Sequence, residues 1–291
     1  MGSADTDRMY MCIDLKSFYA SVECADLGVD PFTTPLVVAD NSRGKGAITL
    51  AISPALKKLG VKNRARLFQI PSHIEYITVK PHMKRYMQAS AQIYGTLLNY
   101  ISPEDIHVYS IDEYFIDITP YTNLYKKTSR QLAQLLLDAV LEATHIYATV
   151  GIGTNLFLAK IALDILAKHA PDFIGYLDES LFKEQIWHHQ PITDIWQIGS
   201  GIANRLRKFG AFDLHGITQV PEHKLYKEFG VNAELLIDHA WGRESCTIAD
   251  IHAYRPSKHS LSQSQILLRN YTADEARLPM REMVESLVLE L

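Results

Sequence analysis

Residues 9–14 (Met-Tyr-Met-Cys-Ile-Asp) form an apolar run closing on an acid, which predicts a short buried strand. Helical spacing follows over 15–24, with Phe18, Val22 and Ala25 on one face and Ser17 placed as N-cap. Residues 35–40 and 48–52 predict two strands, 54–59 a short helix stopping at Gly60, and 81–100 a long helix before Pro103. Between 107 and 118, Val108, Ser110, Asp112, Tyr114, Ile116 and Ile118 fall on alternate positions. Period two predicts a strand, or a hairpin turning near Asp112-Glu113. A helix over 129–144, a strand over 148–153 and a helix over 156–170, ending before Pro171, complete this half. The order gives an α+β architecture with mixed sheets.

Beyond Pro171 the segments shorten and become helical, punctuated by Pro191, Pro221 and five glycines (Gly199, Gly201, Gly210, Gly216, Gly230). They predict a second, all-α unit from Lys168 to Arg243. A linker over 249–258, centred on Arg255-Pro256-Ser257, leads to a strand over 261–268 and a helix over 272–291. No repeat or low-complexity tract is visible.

Composition narrows the class. With 47% hydrophobic and 21% charged residues the chain is globular rather than disordered. No apolar run reaches the ~18 residues of a membrane span, and the polar, acidic residues 1–8 do not read as a signal peptide. A soluble, cytoplasmic protein is expected. Cys12, Cys24 and Cys246 are odd in number and lack CxxC spacing, which argues against a disulfide framework or a cysteine zinc site. His188 and His189 are adjacent rather than at ligand spacing and read as surface residues. The net charge is −4, yet residues 41–74 hold seven basic side chains (Arg43, Lys45, Lys57, Lys58, Lys62, Arg64, Arg66) and no acid. Two further acid-free patches hold Arg205, Arg207 and Lys208, and Arg255, Lys258 and Arg269. Three such patches in an acidic chain favour an anionic ligand over a merely solvated face.

Three acids carry the candidate chemistry. Asp112 and Glu113 are neighbours, and on a strand neighbours point to opposite faces, so only a bend brings both to one point. Alone they also fit a solvated hairpin turn. With Asp14, at the end of another apolar strand, they make a plausible hard-cation site of the kind Mg²⁺ occupies; Asp117 reads as structural. The turn after Asp14 leaves free N–H groups near residues 17–19, suited to phosphate. Residues 150–160 run strand, Gly-x-Gly, helix, without the spacing of a dinucleotide fingerprint; Lys160 reads equally as a phosphate ligand or a surface lysine. Gly199-Ser200-Gly201, leading into Arg205, Arg207 and Lys208, suits DNA phosphate or an ordinary helical turn.

These residues resemble a family. Ile13-Asp14-Leu15-Lys16-Ser17-Phe18-Tyr19-Ala20-Ser21-Val22-Glu23 is similar to the opening motif of Y-family translesion DNA polymerases, and Tyr109-Ser110-Ile111-Asp112-Glu113-Tyr114-Phe115-Ile116-Asp117 to their catalytic motif. Val150-Gly151-Ile152-Gly153-Thr154-Asn155 with Ala159-Lys160-Ile161-Ala162 resembles the third. Residues 51–58 and 66–71 resemble the bacterial UmuC/UV-damage-repair branch.

The resemblance implies a right-hand polymerase: palm 8–17 and 84–167, fingers 18–83, thumb 168–245, linker 246–258, and the opening strand and helix of a little finger over 259–291. It implies template-directed synthesis across damaged DNA, in repair and SOS mutagenesis, by a monomer acting on primer-template DNA and dNTPs, with a sliding clamp or recombinase as candidate partners. Asp14, Asp112 and Glu113 would hold two Mg²⁺ ions, with the Ile13 carbonyl as a further ligand. The Phe18 and Tyr19 amides and Lys160 would hold the triphosphate, Tyr19 would gate the sugar, and Leu50 would roof the base pair. Gly199, Gly201, Arg205, Arg207 and Lys208 would grip DNA. Where many members carry Tyr and Arg on the triphosphate, this chain has Pro54, which removes a hydroxyl, and Lys57, which keeps charge without the bidentate fork. A DNA-binding accessory form lacking most of the little finger, and a two-metal nuclease, are the alternatives.

Overall fold

The structure, a computed structural model, describes residues 8–256, 260–267 and 269–290. Residues 1–7, Ser257, Lys258, His259, Leu268 and Leu291, on which parts of the sequence reading fall, lie outside the described residues. The chain divides into a unit ending at His252 and a shorter one beginning at Ala253.

In the larger unit, β1 (Tyr10–Leu15) runs into α1 (Phe18–Leu27). Then come β2 (Leu36–Val38), β3 (Ala51–Ile52), α2 (Pro54–Lys58), β4 (Ile77–Val79) and α3 (Met83–Leu97). Next are β5 (Ile106–Val108), β6 (Glu113–Asp117), α4 (Thr119–Tyr125), α5 (Ser129–Thr144), β7 (Ala148–Gly153), α6 (Leu156–Ile161) and β8 (Ile174–Leu177). The helical remainder is α7 (Glu179–Gln185), α8 (Ser200–Arg207), α9 (Leu214–Thr218), α10 (Glu222–Phe229), α11 (Asn232–Ala240) and α12 (Ile248–Ala253), the last reaching the division.

The main sheet has the order β5-β6-β1-β7-β8, and β1 lies between β6 and β7, antiparallel to both. Alternation along β1 sorts its two faces. Met11, Ile13 and Leu15 join a core with Tyr86 and Ile93 of α3 and Leu132, Leu136 and Val140 of α5. Cys12 faces the other way, with Phe115, against Leu156, Ala159 and Leu163. That second layer comes unusually close. A Cβ on Gly151 would lie 2.1 Å from the Ala159 carbonyl oxygen, and one on Gly153 2.2 Å from the Ala159 nitrogen. The Gly-x-Gly of the third motif is therefore a seat for α6 rather than a phosphate loop.

After Ile161 the helix widens into a π-helical turn over Ala162–Leu166 and tightens over Ala167–His169, where the sequence predicts one continuous helix. A smaller sheet, β3-β2-β4, closes over Val37, Ile52, Leu56, Val61 and Ile70. The helices from α7 to α11 pack around Phe182, Leu206, Leu214, Leu225 and Ala240, joined by Phe157 and Ile161 of α6. The all-α unit expected from Lys168 thus begins after β8, whose four residues lie parallel to β7 in the main sheet. The strand expected over 48–52 shortens to β3, with Ile48 making a lone bridge to Arg66.

In the shorter unit, residues 260–267 carry no strand, against expectation: their alternating apolar side chains are exposed. Helix α13 (Ala273–Glu290) forms as predicted. Glu275 accepts the Thr272 amide at 2.9 Å and donates its own to the Thr272 hydroxyl, a capping box. Among the described residues no helix is long and apolar enough to cross a membrane.

Candidate active site

Strand register brings two of the acids together. Asp14 stands opposite Glu113, so both side chains leave the sheet on the face of Cys12. Asp112 precedes β6 in a turn where the Tyr109 and Ser110 amides both donate to the Glu113 carbonyl, at 2.9 and 3.1 Å. The turn sets Asp112 off the strand, within the electrostatic field of Asp14. The Leu15 amide donates to the Asp112 carbonyl at 3.0 Å, and the Ser110 hydroxyl to Asp112 Oδ1 at 2.7 Å. Asp117 accepts the Thr119 amide at 2.9 Å and shapes the start of α4.

The electrostatics mark a site made for cations. Burial, reinforced by Asp112 and Glu113 and opposed by Lys168, pushes the Asp14 carboxyl up to about 6. Three oxygen-donor acids at one end of the sheet offer the hard ligands that a divalent ion such as Mg²⁺ takes.

Lys160 is at the site but not where the sequence puts it. Its ammonium is buried, 2.6 Å from Glu113 Oε1 and 3.1 Å from Asp164, and the Cys12 thiol donates to the same Glu113 oxygen at 3.1 Å. Burial lowers its proton affinity, but Cys12, Asp164 and Glu113 together hold it well above the ordinary lysine value. Lys160 is thus buried and turned to Glu113 and Asp164 rather than presented at the surface.

Lys168, which sequence reasoning missed, is the better cation. It lies two turns along the same stripe, 2.7 Å from Asp164 and 4.0 Å from Asp14, with its side chain 38% exposed. Against burial, which lowers it, Asp14 and Asp164 hold it above its ordinary value. Lys57 on α2 and Lys16 also lie in the field of Asp14 and Lys168; desolvation of their ammonium ends lowers both, Lys168 adds to it, and Asp14 opposes. An acid with lysines four residues to either side is the signal that could have found Lys168.

Ile13 is a second correction. The bond from the Leu15 amide to Asp112 sets the antiparallel alternation and makes Ile13 and Tyr114 a hydrogen-bonded pair, committing the Ile13 carbonyl to the ladder. The backbone carbonyl at the acid end of β1 is that of Leu15.

Around the acids, Ser17 stands at the N-cap of α1 with φ 49° and makes no side-chain cap, leaving the Phe18 and Tyr19 amides uncapped by it. Phe18 is buried. Burial and then Asp112 raise the Tyr19 phenol. Tyr19 stacks on Tyr86 at 4.4 Å, and the Tyr86 hydroxyl donates to buried Glu23 at 2.5 Å. Leu50 is exposed beside the smaller sheet, as are Ile48 and Phe68. Pro54 is buried at the start of α2, behind the cap that Ser53 supplies.

In the helical unit, Gly199 and Gly201 open α8, exposed and with nothing within 4 Å of an added Cβ. The basic patch behind them is partly spent. Arg205 Nε lies 2.9 Å and Lys208 Nζ 3.3 Å from Glu228 Oε1, and Arg205 stacks on Phe229 at 4.2 Å. Arg207 instead donates to Asn204 on its own helix at 3.0 Å.

The chain is similar to known proteins in family and fold. A family model describing the impB/mucB/samB family matches residues 13–164. The putative UV-damage repair protein UvrX of Bacillus subtilis is 33% identical over 267 residues, covering 91% of this chain and 62% of that protein. DNA polymerase IV 2 of the same organism is 32% identical over 79% of this chain and 55% of its own length. Among solved structures, a Y-family DNA polymerase chimera superposes with a TM-score of 0.70 at 27% identity, over 82% of this chain and 69% of that one. The chain therefore spans 62% and 55% of the two curated relatives.

Proposed function

The chain belongs to the impB/mucB/samB family, and from that premise we propose that it is a template-directed DNA polymerase that copies damaged DNA by metal-assisted nucleotidyl transfer. The main sheet with α3, α5 and α6 is the palm, the smaller sheet with α2 the fingers, and the helices from α7 to α11 the thumb. The observation that supports the reading is Asp14 opposite Glu113 at one end of the sheet, in the field of Asp112 and with the Lys168 ammonium 4.0 Å away.

Asp14, Asp112 and Glu113 would hold two Mg²⁺ ions, their oxygens being the hard donors that ion takes, with the Leu15 carbonyl at hand. Bound there, the ions supply Lewis-acid stabilisation of the attacking and leaving oxygens of phosphoryl transfer. The protein's own groups do the rest. Lys160 and Cys12 fix the Glu113 carboxylate from below. Lys168, with Lys57 and Lys16, attracts the triphosphate, whose oxygens also meet the Phe18 and Tyr19 amides at the start of α1. The Tyr19 ring closes the space beside the sugar, and exposed Leu50 covers the nascent base pair. The amides at Gly199 and Gly201, with Arg207, hold DNA phosphate without reading sequence.

Primer extension with an undamaged and a lesion-bearing template tests the proposal. Incorporation of the templated nucleotide with Mg²⁺ is the expected result. Nucleotide release from labelled DNA would instead mark a nuclease, and binding with neither reaction an accessory protein.

A further inference from the structure

The helical unit gathers two imidazoles and a carboxylate that chain order keeps apart. His188 lies beyond the end of α7, Asp213 is the N-cap of α9, and His215 sits in the first turn of α9. One ligating atom from each lies within 4.8 Å of the others. His188 Nδ1 and Asp213 Oδ2 are 3.1 Å apart. Neighbouring ligands of a tetrahedral ion bound at ~2.0–2.1 Å are separated by about 3.3 Å, so the pair already stands at ligand spacing. We propose that His188, Asp213 and His215 form a binding site for a borderline divalent transition cation, Zn²⁺ foremost, separate from the acid cluster.

The scaffold holds each donor in place by other bonds. Asp213 Oδ1 accepts the Gly216 amide at 2.6 Å, which orients the carboxylate and leaves Oδ2 turned to His188. A small residue at 216 suits this, since an added Cβ would lie 3.0 Å from the Ala211 Cα and 3.1 Å from Asp213 Oδ1. The His215 amide donates to the Trp187 carbonyl at 3.0 Å, tying the His188 segment to α9. Trp187 is itself anchored by its indole N–H on the Ala240 carbonyl at 2.8 Å, and its ring meets that of His215 at 5.0 Å. Among the described residues the His215 ring makes only ring contacts, with Trp187 and with His188 at 4.8 Å. Its nitrogens have no other task there.

The donor set selects the ion. Imidazole suits zinc, copper and nickel, whereas magnesium favours all-oxygen sites and keeps its waters. Three protein ligands leave a position for water, and the 67% exposed His188 side chain opens that position to solvent. Binding would cross-link the segment after α7 to α9 and so stiffen the helical unit. Adjacency of His188 and His189 hides the site in sequence, because the partners come from 25 and 27 residues away.

The test is Zn²⁺ titration of the tag-free full chain, stripped with chelator and held in excess Mg²⁺, followed by calorimetry and thermal melting. One equivalent is expected to bind and to raise Tm. His188→Ala, at an exposed position, should weaken binding by at least the roughly tenfold that even an outer-sphere substitution costs, and should abolish the Tm rise. Asp213→Asn should weaken it too while keeping the helix cap, since Asn caps as well as Asp. His189→Ala should leave both unchanged. Absence of Zn²⁺ binding in Mg²⁺, wild-type affinity in His188→Ala, or loss of binding in His189→Ala would overturn the proposal.

Discussion

Lys160 and Lys168 are the same residue type on one helical stripe, and their surroundings give them opposite tasks. Lys160 and Glu113 keep side-chain exposures of 8% and 10%, so Lys160→Met leaves a buried carboxylate without its partner. Breaking such a pair costs ~3–5 kcal/mol, and the variant should show a large fall in Tm. Lys168→Met should leave Tm nearly unchanged and raise the dNTP KM by roughly tenfold or more, as expected for a lost charge-assisted hydrogen bond of ~1.5–3 kcal/mol. Thermal melts with steady-state kinetics separate the two; a raised KM with normal stability in Lys160→Met would reverse the assignment. Sequence alone points to Lys160 because it lies in a motif. Which lysine meets Glu113 depends on the sheet behind the helix and on the π-helical turn between them, and neither is a local property. The acids were legible for the converse reason: Asp14 stands near the end of one apolar strand and Asp112-Glu113 at the start of another, positions that strand patterning marks.

At the scale of elements, α3 stands behind α1. Tyr86 offers its ring to Tyr19 and its hydroxyl to Glu23, and His82 Nδ1 lies 2.9 Å from the same Glu23 oxygen. The proposed sugar gate is therefore a backed wall rather than a lone side chain. Tyr19→Ala should raise the ratio of kcat/KM for ribonucleotides over deoxyribonucleotides with little loss of dNTP use. Tyr86→Ala, which removes the backing, should raise it less. An unchanged ratio in Tyr19→Ala would place the gate elsewhere. Elements with a complete local pattern were readable, down to the end residues in α5 and β7, and the β5–β6 hairpin showed as period two with acids at its turn. The strands β4 and β8 were not, since three or four residues acquire strand identity only from a parallel partner distant in sequence. The alternation over 261–267 shows the reverse: pattern without a partner in the described residues makes no strand.

For the whole molecule the net charge of −4 conceals where cations are free. Glu228 holds Arg205 and Lys208, so the patch that sequence assigns to DNA offers less charge than its composition suggests. Glu228→Gln should remove the negative charge that offsets both, although Arg205 keeps its bond to the Glu228 backbone carbonyl. Each additional neutralised phosphate contributes ~0.9 to the slope of log affinity against log salt, so the variant should bind primer-template more tightly and with a slope steeper by up to about 1.8. An unchanged slope would mean that this face does not meet DNA. All of this presupposes that the acid end of the main sheet performs nucleotidyl transfer. The most direct measurement is the single-nucleotide insertion rate of Asp112→Asn with saturating DNA, dNTP and Mg²⁺, set beside its DNA affinity. The account predicts a fall of at least roughly a hundredfold, the scale of losing one transition-state charge contact, with DNA binding close to wild type. Insertion at the wild-type rate would contradict it.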